Sequence, residues 1–174
     1  MKRKRILVLG LVLLLAGCVR AVRLPFFMKD GLYLRYKLTS SDVPQYYTYT
    51  FRQVDDKKYQ MTLESEQGRQ TRYVQPDFSD FDQPLMGGVV SGPAGGNLWL
   101  PPHLLRADAV EGWSVAGETT KKGYSVYRVT AGGGNVGYYE KKTGFQIAFE
   151  NAAVRPAVYV ELVKTNAAGL EKKD

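Results

Sequence analysis

The chain has 174 residues and a formal charge of +7, with one cysteine and one histidine. One cysteine excludes an intramolecular disulfide and a cysteine-built zinc site, and one histidine excludes a metal centre built on histidines. Four of the positive charges, Lys2 to Arg5, precede an apolar run. Without them the balance falls to +3, and no basic stripe interleaved with aromatics follows, so nucleic acid is not an expected partner.

The N-terminus reads MKRKRILVLGLVLLLAGCVR. A basic cluster, an apolar run of 11 residues from Ile6 to Ala16, then small residues is the layout of a secretory signal. A membrane-spanning helix needs roughly 20 apolar residues, and here Arg20 and Arg23 follow at once. Leu15-Ala16-Gly17-Cys18 resembles the lipobox of bacterial lipoproteins. The resemblance implies that the Cys18 sulfur takes a diacylglyceryl group and that a peptidase cuts between Gly17 and Cys18. The new amine can then take a further acyl chain. Two or three chains, at about 0.8 kcal/mol per buried CH₂, anchor far more firmly than one. Val19 stands where Asp would retain such a protein at the inner membrane. In a Gram-negative cell the resemblance therefore implies the periplasmic face of the outer membrane. The covalent lipid on Cys18 is the one group expected on the protein, with no cofactor and no metal.

Cleavage after residue 17 leaves 157 residues, enough for one domain with a core of its own. Residues 18–30 read as the lipidated N-terminus and a short tether, whose last twelve residues span at most about 40 Å. Phe26, Phe27 and Met28 read as the first core contact. From residue 31 the apolar period is two. In GLYLRYKL, Leu32, Leu34, Tyr36 and Leu38 share a face. In YYTYTFRQV, Tyr47, Tyr49 and Phe51 alternate with polar residues. In KYQMTLES, Tyr59, Met61 and Leu63 do the same, and RQTRYVQ is a more polar strand. Asp55-Asp56-Lys57 and Glu66-Gln67-Gly68 are the turns, so neighbouring strands run antiparallel.

Residues 76–98 lose all periodicity, with prolines and glycines throughout, and read as a long loop. Leu85, Met86, Val89 and Val90 on it, with Trp99 just after, are candidates for an apolar contact or a lid over the sheet, because apolar side chains on a loop must fold back or face a partner. Leu104 to Val110 is the place for a short helix. Strands resume with GYSVYRVT, NVGYYEK and FQIAFE, the last two joined through KKTG, where Gly144 suits a hairpin loop. AVYVELVKT closes a β domain over 31–166, and 167–174 reads as a frayed polar tail. The reading is a mainly β single domain of about eight strands, an antiparallel meander forming a half-barrel or sandwich with at most one or two short helices.

Catalytic sets do not assemble. His103 sits among prolines and leucines, and no G-x-S-x-G elbow accompanies Ser91. TAGGGNVG lacks the Lys-Ser/Thr of a phosphate loop. Asp77, Asp80 and Asp82 do not follow the calcium-loop pattern. Glu64 and Glu66 have no opposing carboxylate. Aromatic residues are the distinctive content: nine of 21 fall between Phe26 and Tyr59, so Tyr36, Tyr47, Tyr49, Phe51 and Tyr59 are candidates to line one sheet face, as packing or as an apolar concavity.

The late hairpin GYYEKKTGFQIAFE and the closing strand YVELVKT, on a lipid-anchored run of strands, resemble the half-barrel lipoprotein-receptor and carrier family of the bacterial envelope. That family's half-barrels are plugged by helices, of which this chain has little. The expected function is a non-enzymatic binding or assembly module of the envelope, held on the membrane by its lipid. The alternative is a half-barrel carrier or receptor for a lipid or an acylated peptide. The partner is accordingly an envelope protein or an apolar ligand.

Overall fold

Alternating Leu32, Leu34, Tyr36 and Leu38 bury one side of the first strand while Tyr33, Arg35 and Lys37 stay partly or fully exposed, the period-two pattern of a half-buried sheet. The computed structural model describes residues 28–40, 42–76 and 97–170. Its strands are β1 (Leu32–Thr39), β2 (Gln45–Asp55), β3 (Lys58–Ser65), β4 (Gly68–Val74), β5 (Trp113–Lys121), β6 (Tyr124–Ala131), β7 (Asn135–Glu140), β8 (Gln146–Asn151) and β9 (Val158–Thr165). Among the described residues a single short helix, α1 (Pro102–Arg106), precedes β5. All pairs are antiparallel, and the order across the sheet is β4-β3-β2-β1-β9-β8-β7-β6-β5. The fold is therefore one open β-meander sheet, and the two-sheet sandwich does not apply.

The topology accounts for the long central connection. Two meanders, β1 to β4 and β5 to β9, meet at the β1–β9 pair, so β4 and β5 are the two opposite edges. The chain therefore leaves the sheet at one edge after Val74 and re-enters it at the other edge with Trp113. No tight turn can do that.

Three details depart from the sequence reading. Among the described residues there are nine strands, the additional one being Trp113–Lys121. Its large apolar side chains stop at Val115, a bulge between Val115 and Gly117 breaks the alternation, and most of the strand is exposed at the sheet edge. The helix starts at Pro102 instead of Leu104, since proline suits the first helical turn. It ends at Arg106 and is capped by Ala107, before Asp108 takes a φ of 49°. The tail is not frayed throughout: Leu170 is 8 % exposed and belongs to the core. Met28 also packs into that core, while Phe26 and Phe27 lie outside the described residues. Among the described residues, no helix is long and apolar enough to cross a membrane.

Candidate functional site

Register brings the five aromatic candidates onto one face. Tyr36 pairs with Tyr47, Leu34 with Tyr49, Leu32 with Phe51, and Phe51 in turn with Met61, two residues from Tyr59. Tyr36 and Phe51 are 0 % exposed, Tyr59 1 % and Tyr49 2 %, with Tyr47 half-buried beside them. The rings of Tyr36 and Tyr49 meet edge to face at 6.0 Å. Burial pushes the Tyr36 phenol well above its usual range, and the neighbouring Tyr49 and Tyr139 add to the effect. Tyr49 is raised chiefly by burial and further by Tyr47, against the Arg72 charge. This face is a packed core in which burying each large apolar side chain contributes about 1.5–3 kcal/mol.

A second element seals the core. Pairing of β8 with β9 stops at Ala148 and Glu161, which leaves the edge of residues 144–146 open. Residues 98–100 fill it. The Leu100 N–H donates to the Gly144 carbonyl at 2.9 Å, and the Gln146 N–H to the Leu98 carbonyl at 3.1 Å. Trp99 is bridged to Phe145, and its indole Nε1 donates to the Thr143 carbonyl at 2.7 Å. Trp99 is 9 % exposed, so it folds back over the sheet. The other contact or lid candidates, Leu85, Met86, Val89 and Val90, lie outside the described residues, as do Gly17 and Cys18. So do Ser91, Asp77, Asp80 and Asp82.

The turn that receives Trp99 is held by a buried carboxylate. Glu140 Oε2 accepts from the Lys142 and Thr143 N–H groups and from the Thr143 hydroxyl, at 2.9, 2.7 and 2.8 Å. Beyond it, Gln146 Nε2 donates to the Tyr139 hydroxyl at 3.3 Å, while Gln146 Oε1 is buried without a hydrogen bond among the described residues. Leu100 and Leu105 cover Tyr127, Val129 and Tyr139 on the same face. His103 on α1 is exposed, and Glu64 is an exposed strand residue 3.6 Å from the Arg69 guanidinium.

The opposite face carries a groove of about 320 Å³ that the sequence reading missed. Its rim is formed by Thr39, Lys121, Lys122, Glu150, Tyr159 and Glu161. Lys121 Nζ lies 2.5 Å from Glu150 Oε1 and 4.4 Å over the Tyr138 ring, and Lys122 Nζ lies 2.6 Å from Glu161 Oε2. On a flat sheet β5 and β8 would be about 14 Å apart. These contacts require the β5–β6 tip to bend across β8 and β9, as the accumulated twist of a large sheet allows. Burial alone would lower the Lys121 ammonium's pKa, but the hydrogen bond and charge of Glu150 outweigh it, with help from Tyr138, and the net shift is upward. Tyr159, 48 % exposed, is an aromatic ring at the lip.

Two ammonium groups, two carboxylates and a phenol suit a ligand or protein loop with both charges and polar backbone. The rim holds no imidazole or thiol. Among the described residues, no group of three acidic, histidine or cysteine side chains is placed to hold a metal ion. The only sequence trace of the groove is the pair Lys121-Lys122 and the outward Glu161; nothing local says that they meet. Compared with known proteins, the chain matches no family model and none of the curated proteins.

Proposed function

We propose that the protein is a lipid-anchored envelope lipoprotein that works without catalysis, as a binding or assembly module on the periplasmic side of the membrane. The anchor rests on Leu15-Ala16-Gly17-Cys18 behind its basic and apolar segments. The observation that carries the choice of module over carrier is the packing of the aromatic face. Tyr36, Phe51, Leu32 and Leu34 at 0 % exposure occupy the place a carrier would keep for its ligand. A partner then meets the outer surface, where the charged groove offers a shaped feature.

The second reading is the half-barrel carrier of a lipid or acylated peptide. What favours it is that a single open sheet has its apolar face covered near β7 and β8 by residues 98–105, a segment of the connection and not a second sheet. The test is purification of the intact lipoprotein from membranes in mild detergent, followed by mass spectrometry. Stoichiometric lipid beyond the chains on Cys18 supports the carrier and sinks the module. In parallel, Cys18→Ser should leave an uncleaved precursor that takes no label from an alkyne fatty acid. Equal labelling of variant and wild type removes the anchor.

A further inference from the structure

The two edges of this sheet are built differently. At β5 the edge is blunted. A bulge interrupts it between Val115 and Gly117, the Asp108 carboxylate takes the Val115 N–H at 2.6 Å, and the Trp113 N–H is taken by the Val110 carbonyl at 3.1 Å. Proteins use such devices to stop strands from adding to an edge. At β4 none is present among the described residues. Its seven residues pair with β3 from Ser65–Gly68 to Tyr59–Val74 without a register shift, and Gly68 to Thr71 are exposed.

The pattern of groups on this edge follows from the turn. Two residues, Glu66 and Gln67, join β3 to β4, so Ser65 and Gly68 form a hydrogen-bonded pair. By alternation Gly68, Gln70, Arg72 and Val74 bond inward to β3. Arg69, Thr71 and Tyr73 direct their N–H and C=O groups outward. No other described strand pairs with that edge.

We propose that the β4 edge is a self-association surface, on which a second copy of this chain adds its own β4 antiparallel across a two-fold axis at Thr71. One register satisfies every outward group: Arg69 against Tyr73 of the other copy, Thr71 against Thr71, Tyr73 against Arg69. The side chains agree with it. On one face each Arg69 guanidinium meets a Tyr73 ring, and Tyr73 already accepts a cation, with Lys58 Nζ 3.9 Å from its centroid. On the other face Gln70 stands opposite Arg72, so no like charges are directly opposed. Thr71 already approaches Thr62 within its own sheet at 3.4 Å, a pairing that the two-fold repeats between copies. Isologous pairing of this kind closes on itself and does not propagate, because the β5 edges are blunted.

The experiment is oxidative cross-linking of the full-length lipoprotein in detergent and in membranes. Thr71→Cys should give a disulfide-linked dimer at least ten times more abundant than Thr119→Cys on β5. Wild type should give none. Thr71→Pro, which deletes the central outward N–H, should reduce the dimer seen by native mass spectrometry to under a tenth, while circular dichroism reports whether the domain stays folded. Should Thr71→Pro not fold, Tyr73→Glu, which puts a carboxylate opposite Arg69 of the other copy and beside its own Lys58, should keep the dimer, and its loss in a folded variant overturns the register. Equal cross-linking of Thr71→Cys and Thr119→Cys overturns the proposal. So does a monomeric wild type whose Arg69, Thr71 and Tyr73 amides exchange slowly, since another partner then covers the edge.

Discussion

The Tyr36 hydroxyl on β1 donates to the Gln146 carbonyl at the start of β8 over 2.9 Å, although β9 lies between the two strands. It can do so because β9 stops pairing with β8 at Ala148, leaving the first residues of β8 to bond elsewhere. One phenol thus ties the N-terminal meander to the C-terminal one inside the core. Tyr36→Phe keeps the ring and removes the bond. A net hydrogen bond contributes about 0.5–1.5 kcal/mol, and a buried carbonyl left unpaired costs about 1–3 kcal/mol. At about 2–4 °C per kcal/mol for a domain of this size, Tyr36→Phe should lower the melting temperature by several degrees in differential scanning calorimetry. An unchanged melting temperature would mean that the Gln146 carbonyl has a second partner.

High pH should unfold the domain through its phenols. Burial raises Tyr36, Tyr49 and Tyr139 above the ordinary phenol value, Tyr139 in spite of hydrogen bonds from Gln146 and Asn97 that pull it down. A raised folded value means that the native state holds its proton where the unfolded chain has lost it. The stabilisation is therefore full below pH 10, and it falls as pH climbs toward the folded values. Lys121, also raised, acts in the same direction above its own ordinary value. In an alkaline titration followed by tyrosinate absorbance, most of the twelve tyrosines should ionise gradually, and these three together with unfolding. Smooth ionisation of all twelve while circular dichroism stays native would contradict the burial.

The sheet was legible in the sequence because period two is written by single residues: Leu32 to Leu38 and Tyr47 to Phe51 announce their faces without tertiary information. β5 was not, because an exposed edge strand with Gly117 at its bulge carries no alternation to read. The groove was not, because its rim joins Lys121 and Lys122 to Glu150 and Glu161 through the bend of the sheet. That bend is a property of nine strands together. Trp99 stands out in the sequence as an apolar residue just after the long loop, but its bond to Thr143 depends on an edge that β9 vacates.

Gly144 is where that vacated edge leaves least room. It has a φ of 77°, and a Cβ there would sit 2.0 Å from the Leu100 carbonyl oxygen and 3.0 Å from the Trp99 indole nitrogen. Gly144→Ala cannot be accommodated by a side-chain rotation, because the clash is with backbone. Either the turn or residues 98–100 must move, and the Trp99–Thr143 bond is lost with them. The expected cost is about 2–4 kcal/mol, at the upper end for a single substitution. Gly134→Ala is a useful comparison, since it combines a φ of 76° with a closest contact to the Ala153 side chain, 2.7 Å, instead of to backbone. Gly144→Ala should lower the urea midpoint more than Gly134→Ala and should red-shift Trp fluorescence as Trp99 becomes wetter. Equal midpoints with unshifted fluorescence would show that residues 98–100 are not held by this turn.

The groove separates stability from binding. Lys121 and Glu150 are each just under a third exposed, and ion pairs of this kind contribute about 0.2–1 kcal/mol, screened by salt. A double-mutant cycle of Lys121→Ala and Glu150→Ala should give a coupling near the top of that range at low ionic strength, because Tyr138 holds the ammonium from below and donates to Glu150 Oε2 at 3.3 Å. Lys122 with Glu161 should couple less, since the lysine is 55 % exposed. Tyr159 takes no part in either pair. Tyr159→Ala should change stability by less than about 0.5 kcal/mol, as for other surface positions. If the groove receives a partner, the same variant should abolish its co-purification from membranes, because an aromatic ring at the lip of a pocket is the residue type that most often carries interface energy. Loss of binding in Tyr159→Ala with an unchanged melting temperature places the partner on this face. Retained binding in Tyr159→Ala and in Lys122→Glu moves the contact away from the groove altogether.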